Sequence, residues 1–415
     1  MAYRLCSFTM IRRVFTLSAV CTLIALAGCG PTHSANTSKS TPTPTIATPL
    51  PLPTATPSPQ ITTLSSTGGP VAGPRPAWSQ VALPSGFGIQ FHVSDIGVAP
   101  SNGDIAYACT TTLSQPSQTE VVVTHDGGAS WGPIRHVSAD SVACAFATVD
   151  AQIPTTALIY GSPNPMGTGA LTRDGGSIWQ PYTISTIAQA GISSLSTANG
   201  STYAILNSPS GNGTSISLAV SRDSMRTWQP ISVPSGSTGS DILNFWGPVA
   251  GSMLAETGTN GSAALWHSSD GGAHWAGVPL PAATASWIEA APGPQPGSWQ
   301  IYVEYDYLHI AYSTDEGTRW TVLPDLGSGV GPQLSGIGKD GAILAVVNSS
   351  NPTLFRFIPG TTRWQSLGVL PKSAVTITYA STPSGGILWA FPAESDGAAG
   401  AGPANAVYSA SYPAG

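Results

Sequence analysis

A Ser or Thr, an Asp two places on, a Gly two further and a Trp three beyond that form a pattern that occurs five times in this 415-residue chain. The copies run Thr124–Trp131, Thr172–Trp179, Ser221–Trp228, Ser268–Trp275 and Ser313–Trp320, and their tryptophans stand 48, 49, 47 and 45 residues apart. The third copy has Met225 where the others have Gly. A period of this length predicts a chain built from one small unit, each copy burying its apolar face against the next.

The first unit reads as four short strands: 93–99, a turn at Ser101–Asp104, then 105–110, 120–124 and, after the repeated pattern, 132–137. The third strand recurs at 216–220, 263–266 and 308–312, and Pro and Gly interrupt every stretch long enough for a helix. The pattern then falls on the turn between strands three and four. Its Asp accepts backbone N–H groups of its own turn, its Gly permits a positive φ, and its Trp buries a large ring against a neighbouring sheet. On this reading Asp126, Trp131, Asp174, Trp179, Asp223, Trp228, Asp270, Trp275, Asp315 and Trp320 are scaffold residues. The spacing lacks the alternating oxygen ligands of a calcium loop.

These residues resemble the Asp-box (BNR) repeats of sialidases, sortilin-type receptors, xyloglucanase-like glycosidases and photosystem II assembly-factor propellers, over roughly residues 75–415. The resemblance implies a β-propeller with the five turns on its rim, on the face away from the usual ligand pocket. Trp364 follows Trp320 by 44 residues, and Trp78 precedes Trp131 by 53. The C-terminus supplies three strands, 374–379, 387–391 and 406–412, without a fourth, which the residues near Trp78 complete. The expected fold is all-β: a seven-bladed propeller of four-stranded antiparallel blades, with first and last segments sharing a blade. Six blades is the alternative.

The N-terminus reads as a lipoprotein signal peptide over residues 1–28: Arg4, Arg12 and Arg13 flank an apolar run, Val14–Leu26, too short to span a bilayer. Met10 begins an equally good signal. Leu26 to Cys29 resembles the lipobox of bacterial lipoproteins, which implies cleavage before Cys29 and lipidation of its thiol. Residues 29–73 are then a lipidated Cys and a disordered Ser/Thr/Pro linker with Lys39 as its only charge, and 74–415 is the propeller. The expected location is outside the cytoplasm, tethered to the membrane by lipid. Cys109 and Cys144 lie in strand-like runs and either pair as one disulfide or stay as buried thiols.

Without the signal, 11 Lys+Arg stand against 20 Asp+Glu, a net charge of −9. The basic residues are scattered, which argues against nucleic acid as a partner. Five of the eight remaining arginines, Arg173, Arg222, Arg226, Arg319 and Arg363, fall in the repeated turns or their degenerate copy. Arg75, Arg135 and Arg356 are left, a poor basis for the three-arginine clamp of a sialidase. The histidines are dispersed, so no metal is expected, and no cofactor motif appears.

Other glycosidases need only two carboxylates flanking a bond. The densest cluster runs from Glu304 to His309, at a turn expected to face the pocket, with Trp287 and Glu289 nearby and Asp241, Trp246 and Glu256 one unit earlier. Glu289, Glu304 and Asp306 are therefore the catalytic candidates. Trp246, Trp287, Tyr305 and Tyr307 are the candidates for ligand stacking. The favoured reading is a monomeric, non-catalytic propeller that binds an extracellular protein or glycan; the alternative is a glycoside hydrolase of the sialidase or xyloglucanase-like class.

Overall fold

The computed structural model describes residues 58–412 apart from 66–67, 88–94, 100–101, 112–118, 138–145, 151–152, 161–167, 185–190, 199–200, 211–212, 235–240, 260–261, 283–284, 294, 296, 307, 327–330, 339, 372–373, 383–384 and 393–406. The signal segment, Cys29, Cys144 and Tyr307 lie outside the described residues.

Seven sheets form a ring. Blade 1 comprises Asp95–Ala99, Asn102–Thr111, Thr119–Thr124 and Arg135–Val137, each strand antiparallel to the last. Blades 2, 3 and 4 repeat the order from Phe146–Val149, Gly191–Ala198 and Asp241–Val249. Blade 5 runs Ala285–Pro292, Trp299–Tyr305, His309–Ser313 and Arg319–Val322, and blade 6 begins at Pro332–Ile337. Blade 7 holds Ala374–Thr382, Gly385–Pro392, Val407–Ser411 and, as its outer strand, Ser79–Val81 from the other end of the chain. First strands of successive blades touch from blade 1 to blade 7, and the first strand of blade 7 meets the second strand of blade 1. The ring is therefore a seven-bladed β-propeller, closed by Ser79 opposite Ser409 and Val81 opposite Val407.

The second strands of blades 2 and 6 are buried on both faces by their flanking blades, so they read as unbroken apolar runs rather than alternating ones. Ala157–Tyr160 and Ile343–Val347 are buried throughout. Blade-to-blade seams make up the core: Leu254 and Leu265 of blade 4 pack on Ile288, Ile301 and Val303 of blade 5. Tyr302 and Ile310 of blade 5 pack on Leu334, Ile343 and Phe357 of blade 6.

Two further strands lie outside the ring. Gln60–Thr63 runs parallel to the outer strand of blade 5, Gln60 opposite Arg319 and Thr63 opposite Val322. Val71–Ala72 runs parallel to Gln365–Val369, the outer strand of blade 6. Both fall in the stretch whose composition reads as linker, so the ordered chain begins before residue 73. These residues are exposed; what orders them is the open row of N–H and C=O groups on an outer strand, which accepts backbone regardless of side chain.

Candidate functional site

The five repeated turns sit beside the hairpins that join strands one and two. Gly127, Gly175 and Gly271 donate to the carbonyls of Asp104, Thr155 and Gly251. The turns that join strands two and three therefore lie on the opposite face. In each repeated turn the first hydroxyl donates to the Asp Oδ1, at 2.8 Å for Thr124 and Thr172 and 2.9 Å for Ser221, Ser268 and Ser313. Oδ1 also accepts the backbone N–H four residues on, from Ser130, Ile178, Thr227, His274 and Arg319. The Ser130 hydroxyl and backbone N–H hold Asp126 below the usual carboxylate range, the backbone N–H groups of Ile178 and His274 do the same for Asp174 and Asp270, and the Thr227 hydroxyl and N–H bring Asp223 down to about 2. Asp315 is lowered too: its burial opposes the shift, and the Arg319 side chain and backbone outweigh it. The lone pairs are used within the turn, which is scaffolding chemistry.

The tryptophans reach the preceding blade. Trp275 Nε1 donates to Ser232 O at 3.1 Å, Trp320 Nε1 to Pro279 O at 2.9 Å and Trp364 Nε1 to Pro324 O at 2.7 Å. Trp131 packs edge-on against Trp389 of blade 7, across the closure. The fifth turn position adopts φ of 90°, 87°, 91° and 82° at Gly128, Gly176, Gly272 and Gly317. A Cβ at Gly272 would lie 2.3 Å from Ile231 Cγ2. Met225 takes the same left-handed conformation at 60° and is fully buried, so the seam between blades 2 and 3 is shaped around it.

Away from the turns, blade 5 gathers a different set of carboxylates. Trp287 and Glu289 lie two apart on its first strand, and Glu304 sits opposite Trp287 on its second. Trp287 Nε1 donates to Glu289 Oε1 at 3.1 Å. Burial, with the charge of Glu256 adding to it, pushes the Glu289 carboxyl up to about 7, against the indole bond. Glu304 is also raised by burial, opposed by the N–H of Leu334 in blade 6 and the Ser286 hydroxyl. Glu256, on the second strand of blade 4, is 1% exposed and accepts from Asn244 Nδ2 at 2.5 Å. An acid near neutrality beside a second carboxylate, with an indole at hand, can donate and accept hydrogen bonds at physiological pH.

Trp246 does not join this set; it packs in the seam between blades 4 and 5, whereas Trp287 packs in the seam between blades 5 and 6. Asp306, at the turn after Glu304, is exposed with φ 48° and bonds His309 Nδ1 at 2.8 and 2.9 Å. Tyr305 stacks on His309, ring centroids 5.5 Å apart. Both rings line a groove of about 620 Å³ walled by Ile61, Thr63 and Leu64 of the added outer segment and by Pro324 to Leu326. Asn244, Ser286 and this segment escaped the sequence reading. A polar residue in the middle of a first strand, as Asn244 is, was the available signal.

Arg356 is buried between blades 6 and 7. Its Nε donates to Gln365 Oε1 at 3.1 Å, its NH1 lies 3.7 Å from Asp340 Oδ2, and its guanidinium stands over the Tyr412 ring. It has a structural job rather than a place in a ligand clamp. Cys109 is disulfide-bonded. Among the described residues no group of three His, Cys, Asp or Glu is placed to hold a metal ion.

No protein-family model matches the chain, and no curated protein matches it. Among solved structures it is similar to YCF48 bound to a D1 peptide, at 16% identity and a TM-score of 0.55 over 83% of this chain and 100% of that one. It is similar to the WD40 repeats of RRP9, at 10% identity and a TM-score of 0.53 over 83% of this chain and 99% of that one. The GH74 xyloglucanase from Xanthomonas campestris shares 13% identity with a TM-score of 0.44, over 76% of this chain and 59% of that one. At such identities the first two likenesses show the propeller fold.

Proposed function

We propose that this chain is an exported, lipid-anchored propeller of the Asp-box (BNR) kind, acting as a monomer, whose Glu256–Glu289–Glu304 region binds an extracellular protein or glycan without cleaving it. The observation that carries the reading is how the carboxylates are held. Glu256 is buried and bonded to Asn244, while half-buried Glu289 and Glu304 are bonded to the Trp287 indole and to Ser286 and Leu334. Groups already bonded to the scaffold suit fixed recognition of hydroxyls or amides better than proton transfer to a reacting bond. A propeller that holds a peptide, as the YCF48 structure does, is a fold-level analogy that favours a protein ligand.

The second reading, a glycoside hydrolase, draws on Glu289, whose raised pKa suits a general acid, with Glu256 as a second carboxylate close enough to act on it. One experiment separates the two. The purified chain is screened against glycan arrays and cross-linked to envelope extracts, and the same preparation is assayed for reducing-end release from a polysaccharide panel. Saturable capture that weakens in Glu289→Gln, with no sugar released, supports binding. Turnover abolished by Glu289→Gln replaces it with the hydrolase. The anchor is tested by labelling cells with a fatty-acid analogue: Cys29→Ser is expected to lose the label and shed the protein from the membrane fraction.

A further inference from the structure

Ser252 begins the second strand of blade 4, on the face that carries the repeated turns, away from the turn that follows Glu304. Its Oγ lies 2.7 Å from His267 Nε2, on the third strand of the same blade. His267 Nδ1 lies 3.4 Å from Glu316 Oε2, in the fifth repeated turn of blade 5. Trp299 Nε1 approaches Ser252 Oγ from a third side at 2.8 Å.

The carboxylate fixes the protons. Glu316 only accepts, so the neutral imidazole carries its proton on Nδ1, toward that carboxylate, and leaves Nε2 to accept the Ser252 hydrogen. Ser252 Oγ itself accepts from the Trp299 indole. Hydroxyl, imidazole and carboxylate in that order make a nucleophile, a base and a group that orients the base.

The repeat itself gives reason to see more than packing. His267 immediately precedes the first residue of its turn pattern. The same place in the other turns holds buried Val123, Leu171 and Val220, and half-buried Tyr312. Glu316 occupies a place held elsewhere by Gly127, Gly175, Ser224 and Gly271, and it adopts a left-handed φ of 57° there. The scaffold is built elsewhere without an imidazole or a carboxylate at these places, and an aliphatic residue or Gly would be cheaper. Both departures meet at one seam.

We propose that Ser252, His267 and Glu316 form a hydrolytic site for esters of short acyl groups, acetyl being the smallest. Ser252 Oγ attacks the acyl carbon while its proton passes to His267 Nε2. The bond to the leaving oxygen breaks, and the alcohol departs with that proton. Water then repeats the sequence on the acyl-serine, releasing the carboxylic acid and restoring the hydroxyl. Ser252 is 6% exposed, whereas the side chains of His267 and Glu316 are 16% and 41% exposed. Access therefore improves toward Glu316, and the burial of Ser252 limits the acyl part to a small one. Glu316 is a positioning residue; Ser252 and His267 are the catalytic pair.

The purified full chain is treated with a fluorophosphonate probe, mapped by peptide mass spectrometry and assayed with p-nitrophenyl acetate. We expect a single adduct on Ser252, absent from Ser252→Ala, and acetate release reduced about 1,000-fold or more in His267→Ala. Glu316→Gln lowers kcat at unchanged KM, and Glu316→Asp recovers part of it. The wild-type adduct needs no variant to fold. A folded wild-type protein that takes up no probe, or an adduct that persists in Ser252→Ala, overturns the proposal. Neither result depends on ligand capture at Glu289.

Discussion

Two sets of carboxylates in this propeller are chemically alike and physically opposite. Those of the repeated turns lie at the surface, ringed by N–H groups of their own turn, and their protons are held off to low pH. Glu289 and Glu304 lie against neighbouring strands with few donors, and burial keeps their protons on to higher pH. The difference shows what distinguishes scaffold from site in a repeat fold. A carboxylate answered by its own turn is complete without a ligand, whereas one placed against neighbouring strands keeps a proton to exchange.

The comparison breaks most violently at the tryptophan. Trp320 is 1% exposed and its indole donates across the seam to Pro279. Truncating a buried aromatic of this size costs about 3–5 kcal/mol, so Trp320→Ala should lose about that much stability in urea-unfolding curves. A loss below about 1 kcal/mol would show that the turns ornament the rim rather than join the blades.

Glu289 gives the next largest effect, with a sign the turns cannot share. Its folded-state carboxyl, near 7, still holds a proton where the unfolded chain, near 4.5, has released it. The stability it contributes is thus full below about pH 4.5, declines as pH rises and is gone above about 7. The separation from 4.5 to 7 corresponds to about 3 kcal/mol at roughly 1.4 kcal/mol per unit. Glu289→Gln should flatten that part of the pH–stability profile and raise stability at pH 8. An unchanged slope would place the carboxyl in water.

The fold was legible because its determinants are local and repeated. Trp131 to Trp320 mark the period, each turn's hydroxyl, Asp and Gly lie within one turn of chain, and the missing strand of the last blade was visible as an orphan near Trp78. The site was much less so. Asn244 and Glu256 meet only through strand register, and Glu304 meets the Leu334 N–H only through the packing of blades 5 and 6. Trp246 and Trp287 look equivalent in sequence, yet they pack in different seams. Nothing in the composition of 29–73 distinguishes Gln60–Thr63, because that strand is held by backbone groups of Arg319–Val322 rather than by its side chains. Chemistry that depends on one blade meeting the next is written in no single stretch of chain.

The smallest effect separates the carboxylate of a turn from the rest of the turn. Asp223 accepts N–H groups from Arg226 and Thr227 and hydroxyls from Ser221 and Thr227. All but the Ser221 bond are exposed, so water stands ready to replace these partners, and the net loss in Asp223→Ala should be only about 1 kcal/mol. The Ser221 hydroxyl still takes the Met225 N–H, and Trp228 still donates to Tyr182. What Asp223 does contribute is present above about pH 3.8 and is lost as pH falls through about 2. Acid therefore weakens the turn while, at Glu289, it removes a penalty. Parallel acid titrations of Asp223→Ala and Glu289→Gln, each against wild type by tryptophan fluorescence, should converge on wild type from opposite sides, Asp223→Ala from lower and Glu289→Gln from higher stability. A loss at Asp223 as large as that at Trp320 would mean that the carboxylate, rather than the indole wedge, holds the blades together.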